Sequence, residues 1–249
     1  MKPFSLSVAW LETLAFVKRE GGLVFPVVLL FIAIPLALIM HVIPDDMRQM
    51  TPGAGAPNVS LPPYAMVVIP FALFFVLGGT LSCYALALKP GISLREALFL
   101  GFRRIPHAFS ASVLIGVALA IPMLLVGSLS PAIASLYITG ATIFFSVKFL
   151  FLNAVIVDRM AGPIAAIRQS WVMARGNAAR LLLLIVAMTI PIMLAQVTAG
   201  ILFGLIGFAV GGAEAGRQIS DFAGAVMLSL GQLFIIVVTT RLYRQHALG

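Results

Sequence analysis

Few residues in this 249-residue sequence are of a type that does chemistry, and their spacing keeps them apart. The three histidines, His41, His107 and His246, are scattered, and Cys83 is the single cysteine. On the membrane layout derived below, His41 falls at the outer edge and the other two on the inner side, so no shared metal ion is expected. One cysteine permits neither an internal disulfide nor a cysteine-based metal cluster. The Gly-rich phosphate loop, Gly-x-Ser-x-Gly and Ser-x-x-Lys patterns of nucleotide and acyl-transfer enzymes are absent. No acidic residue lies deep in an apolar run, which disfavours an intramembrane protease. The sequence therefore reads as a non-enzyme with no cofactor and no catalytic residue.

Lys148 is the exception among the charges, because it lies inside an apolar run. Ten residues separate it from Asp158 at the run's inner end, which on a continuous helix buries its Cα roughly 15 Å deep. A lone charge there costs several kcal/mol and needs a partner or a water-filled cavity. Asn153, Gln196, Gln232, Asp221, Tyr84 and Tyr137 are the candidate partners. One function for such a lysine is to bind an anionic headgroup or substrate within the bundle. The plainer alternative is a stem that snorkels inward, or a neutral, hydrogen-bonded amine.

The densest local pattern runs from Gln169 to Arg180 and reads Gln-Ser-Trp-Val-Met-Ala-Arg-Gly-Asn-Ala-Ala-Arg. It describes a helix that stops, with Gly176 or Asn177 in the left-handed conformation of a helix end. From that turn the chain enters the next apolar run, whose free N–H groups Asn177 is placed to cap. Arg175 and Arg180 are in reach of lipid phosphates or of the last carbonyls of the stopping helix.

The elements that position these residues are set by composition: 61% of the chain is apolar and 10% charged. A soluble domain carries about a quarter charged residues, and disorder needs low hydrophobicity, so both are excluded. Six apolar runs are long enough to span a bilayer: residues 22–43, 64–88, 109–129, 131–157, 183–210 and 219–240. The first is too long, and preceded by too much acid, for a cleavable signal peptide. The stretch 44–63 is the one sizeable outer loop, rich in proline and glycine. The net charge of +8 is then a question of sidedness rather than of nucleic acid, and no nucleic-acid partner is expected. All 16 lysines and arginines except Arg48, Arg217 and Lys148 fall on the side of the termini. The positive-inside rule accordingly predicts cytoplasmic termini in a bacterial inner membrane.

Residues 1–249 read as one integral membrane domain built from three pseudo-repeats, about 4–88, 92–157 and 162–241. Each opens on an amphipathic segment with a basic end and continues into a run containing Ile-Pro, at Pro35, Pro122 and Pro191. The expected fold is thus all-α, with six transmembrane helices in three hairpins, each led by an interfacial helix at the inner leaflet. Arg103 and Arg104 in the second such helix, with Arg168, Arg175 and Arg180 in and after the third, are the candidates for anionic lipid. Trp10 and Trp171 are expected to anchor their helices at headgroup level. Gly200, Gly204, Gly207 and Gly211, spaced by fours or threes, mark a close helix contact, intramolecular in preference to dimeric.

The Ser170-Trp171…Arg175-Gly176-Asn177 run before a long span resembles the membrane domain of the glycerophosphoryl diester phosphodiesterases. It is similar also to uncharacterised bacterial inner-membrane families of the YciC type, and the six-span layout agrees. The resemblance implies a membrane module tied to lipid or envelope homeostasis; where such proteins hydrolyse phosphodiesters, a separate soluble barrel does so, and no catalytic residue carries over. The expected function is engagement of anionic lipid, a membrane-protein partner, or both. The alternative is a small transporter with its site around Lys148.

Overall fold

The computed structural model describes residues 6–43, 61–127, 130–159 and 161–247, and every regular element among them is helical. In chain order they are α1 (Leu6–Val28), a wide π-turn (Leu29–Ala33), α2 (Ile34–Val42), α3 (Ala65–Leu88) and α4 (Leu94–Gly127). There follow α5 (Pro131–Lys148), α6 (Leu152–Asp158), α7 (Pro163–Met173) and α8 (Ala178–Ala247). Five helical stretches are long and apolar enough to cross a membrane: Val8–Val42, Ala65–Leu88, Leu94–Leu124, Ala132–Asp158 and Ala178–Gln245. The outer loop expected at 44–63 lies outside the described residues except for its last three.

α3 is the hub. Residues from Gly78 to Leu88 are buried on all sides, and the helix touches α1, α2, α4, α6 and α8. Small residues permit this: a Cβ on Gly79 would come within 2.6 Å of the Phe31 Cβ, and one on Gly78 within 2.8 Å of the Phe102 ring. Such close approach lets dispersion act between helices in lipid, where no hydrophobic force separates helix from solvent. Phe31, Phe74, Phe75 and Phe102 interlock with centroids 5.6–6.1 Å apart, Phe31 stacked on Phe75 and Phe102 edge-to-face with Phe31, Phe74 and Phe75. α4 begins with a capping box in which Ser93 and Glu96 exchange bonds: Ser93 N–H donates to Glu96 Oε2 (3.1 Å) and Glu96 N–H to Ser93 Oγ (3.3 Å).

Two expectations need correction. The interfacial helices of the first two units are not set off from their spans, because α1 runs unbroken through Arg19 and α4 through Arg104. Gly21 and Gly22 stay helical: among the described residues only Gly91, Gly176 and Gly212 take positive φ. At 34 residues α4 is roughly 51 Å long, well beyond a ~30 Å hydrocarbon core, so its basic first turns extend past the apolar layer without a joint. Secondly, the expected fourth span is two helices, broken after Lys148 at Phe149–Phe151. The expected fifth and sixth spans lie on the two helical arms of α8, which meet at Gly212, where the backbone leaves helical geometry (φ 76°, ψ −168°). The Ile-Pro pairs also differ: Pro35 follows a π-turn, which absorbs the missing N–H, whereas Pro122 and Pro191 sit inside continuous helices. The three stretches expected to repeat are therefore built differently.

Past Gly212 the second arm of α8 packs back on the first. Cβ atoms on Gly200, Gly204 and Gly207 would meet Ser220 (3.1 Å), Ser220 again (3.1 Å) and the Ala215 carbonyl (2.8 Å), and one on Gly211 the Ala215 side chain (2.6 Å). Further along, Gly231 lies against Ile192. The four glycines thus serve contact within the chain.

Candidate functional site

The Ser170–Asn177 run does its work at the broken end of α5. Ser170 is fully buried and its Oγ donates to the Lys148 carbonyl at 2.9 Å. That carbonyl belongs to the last turn of a helix and has no intrahelical partner of its own. Trp171 then covers the lysine side chain: the Lys148 ammonium lies 5.0 Å from the Trp171 ring centre and 5.7 Å from that of Phe144. Phe144 and Phe149 pack on Trp171 in turn, at 5.5 and 6.0 Å. A cation over two aromatic faces, at a helix C-terminus whose dipole favours positive charge, is stabilised by its own chain.

The Lys148 ammonium, within the apolar stretch Ala132–Asp158, accordingly lies among aromatic rings. Of the partners expected for it, Gln232 instead donates to Thr80 Oγ1 (3.2 Å), tying α8 to α3. Tyr137 donates to the Leu119 carbonyl (3.2 Å), tying α5 to the proline-opened stretch of α4.

The helix stop itself is as expected. Gly176 takes φ +80°, the Ala174 N–H donates to the Ser170 carbonyl (3.0 Å), and α8 opens with Leu181 N–H on the Asn177 carbonyl (3.0 Å). Asn177 is buried, whereas Arg168, Arg175 and Arg180 are exposed. Arg103 is exposed too, but its neighbour Arg104 is 8% exposed, with a buried Nε that has no hydrogen-bond partner. Trp10 is 44% exposed and flanks an apolar groove of about 600 Å³ with Leu183, Pro191 and Phe234.

A second collection of charges was not singled out in the sequence, because it draws on three distant segments. A half-open cavity of about 490 Å³ is lined by Arg19 of α1, Lys89 at the end of α3, and Arg241 and Arg244 of α8, with Glu20 the one acid among its lining residues. Lys89 is held by the turn Lys89-Pro90-Gly91-Ile92, where Gly91 takes φ +80° and Ile92 N–H donates to the Lys89 carbonyl (3.3 Å); proline then φ-positive glycine is the type II pattern. Arg241 and Arg244, three apart, share a helix face. The Arg241 guanidinium lies 5.1 Å above the Phe16 ring, which fixes it at the cavity wall, and its Nε is buried without a hydrogen-bond partner. Beside this cavity Tyr243 closes the α6–α8 junction, donating to Asp158 Oδ2 (2.7 Å) and accepting from Arg159 Nε (3.2 Å).

Among the described residues no group of three or more His, Cys, Asp or Glu is placed to hold a metal ion. The architecture fits the class of multi-pass helical membrane proteins. No known protein family matches the chain, and neither a curated protein nor a solved structure is significantly similar to it. The likeness to the phosphodiesterase membrane domain rests on the sequence alone, on the Ser170–Asn177 run and the layout of the apolar runs.

Proposed function

We propose that the chain is a non-enzymatic bacterial inner-membrane protein that engages anionic lipid headgroups at the cytoplasmic leaflet, together with a membrane-protein partner, in envelope or lipid homeostasis. The observation that carries this reading is the α7–α8 joint: a buried Ser170–Lys148 anchor holds a short helix whose exposed Arg168, and the exposed Arg175 and Arg180 beyond it, face outward. Exposed arginines near a membrane surface each attract anionic lipid by about 1 kcal/mol. In this reading the chain crosses six times, since each arm of α8 exceeds the ~20 residues a crossing needs and the arms fold back at Gly212. Both termini then share the basic side, which the positive-inside rule assigns to the cytoplasm. The corner around Lys148, closed by aromatic rings, gives no support to a transport site there.

The test is lipid analysis of protein extracted with its surrounding bilayer into polymer discs. Changing Arg168, Arg175 and Arg180 together to Gln is expected to lower the anionic-lipid content of the discs. An unchanged content contradicts the lipid reading. A stoichiometric protein in the same discs supports the partner half.

A further inference from the structure

The cavity between α1, the α3–α4 turn and the C-terminal end of α8 has the chemistry of an anion site. Among the described residues four cations from three segments converge on it against one lining carboxylate, Glu20, which is already held by Arg19 at 2.8 Å. Among Arg241's electrostatic neighbours are two further cations, Arg244 and Arg19, against one acid, Glu12. Like charges are brought together at a cost unless something neutralises them. Unmet hydrogen-bonding capacity points the same way: a buried guanidinium N–H without an acceptor is destabilising, and native proteins rarely leave one so. The Phe16 ring holds the Arg241 guanidinium in place before any ligand arrives, which lowers the ordering cost of binding, and the Lys89–Ile92 turn fixes the backbone that carries Lys89.

We propose that this cavity binds one phosphate-bearing anion, with Arg241 as the central donor, Arg244 and Lys89 completing the coordination, and Arg19–Glu20 as an adjustable edge. The shared chemistry is a phosphate group, on a phospholipid headgroup or on a small soluble phosphate compound. Leu23, 45% exposed, borders the cavity, giving an acyl-chain-bearing ligand an apolar way out along α1. This inference refines the lipid reading above to a single, saturable site on residues separate from the exposed arginines of the α7–α8 joint.

The experiment is native mass spectrometry and thermal unfolding of the full chain in neutral detergent, with three probes: phosphatidylglycerol, phosphatidylcholine and inorganic phosphate. The expected result is one phosphatidylglycerol retained per chain and a saturable stabilisation. Arg241→Gln should weaken binding by roughly tenfold to a hundredfold, the range for one charge-assisted hydrogen bond, and Arg241→Lys should weaken it less. Lys89→Gln, at an exposed turn where misfolding is not at issue, should weaken it by about tenfold. Stabilisation by inorganic phosphate that equals the lipid's assigns the site to a soluble phosphate compound; stabilisation by the lipid alone assigns it to a headgroup. Binding that is indifferent to Arg241 and Lys89 but lost with Arg168, Arg175 and Arg180 overturns the cavity and leaves the general lipid reading intact. Equal retention of phosphatidylcholine, insensitive to every variant, overturns both.

Discussion

Lys148 and Arg241 are both cations set against aromatic rings at the ends of apolar helices, yet their surroundings differ in kind. Lys148 has two rings over its ammonium, a helix C-terminus behind it, and its carbonyl tied by Ser170. Arg241 has one ring, a buried N–H with no acceptor, and further cations sharing its cavity. The first arrangement is complete within the chain and holds α5 to α7. The second is incomplete, and an incomplete charge cluster beside an open cavity implies something from outside. A membrane charge is thus a poor guide to function by its depth alone; whether the chain itself compensates it is the better guide.

Breaking the comparison at the open site should have the largest effect. Converting Arg241 and Arg244 together to Glu should remove phosphate-type binding by more than ~100-fold, since two charge-assisted bonds and the favourable field go together, and it should not lower the melting temperature of the ligand-free protein. Titration of the double variant with phosphatidylglycerol checks both points.

Breaking the closed corner should act on stability instead. Trp171→Ala removes the lid over Lys148 and the contacts to Phe144 and Phe149, and should cost about 3 kcal/mol, read by denaturant unfolding in detergent, while headgroup affinity at the Arg241 cavity stays within about twofold. Ser170→Ala should cost about 1 kcal/mol, the net worth of the bond to the Lys148 carbonyl. The smallest change is expected from Lys148→Met, which keeps the stem and loses only the cation–π term, under ~1 kcal/mol. A larger loss of anion binding from Lys148→Met than from Arg241→Gln would invert the assignment of the two regions.

Much of the architecture was legible. The apolar runs, the stop at Gly176 and the glycine face of residues 200–211 follow from local chemistry, because a φ-positive glycine and close helix packing leave marks in the residues concerned. The box of Ser93 and Glu96 was not read, although its Ser-x-x-Glu spacing is a local signal. The break after Lys148 was not legible. Lys148-Phe-Leu-Phe151 contains neither glycine nor proline, and the helix ends where Ser170, 22 residues later, supplies a donor to the freed carbonyl. Continuity through Arg19 and Arg104 was missed for the opposite reason, since a basic pair resembles an interfacial boundary whether or not the helix stops there. Arg19, Lys89, Arg241 and Arg244 were each read as a cytoplasmic charge; that they meet is a property of how α1, α3 and α8 pack.

The most direct test of the account is an experimental density map of the protein purified with its native lipids. One phosphate-sized feature is expected within about 2.7–3.2 Å of the Arg241 guanidinium, flanked by Lys89 and Arg244, and none between Lys148 and Trp171. A cavity at Arg241 holding only water, with phosphate bound instead at the Lys148 ammonium, would contradict it.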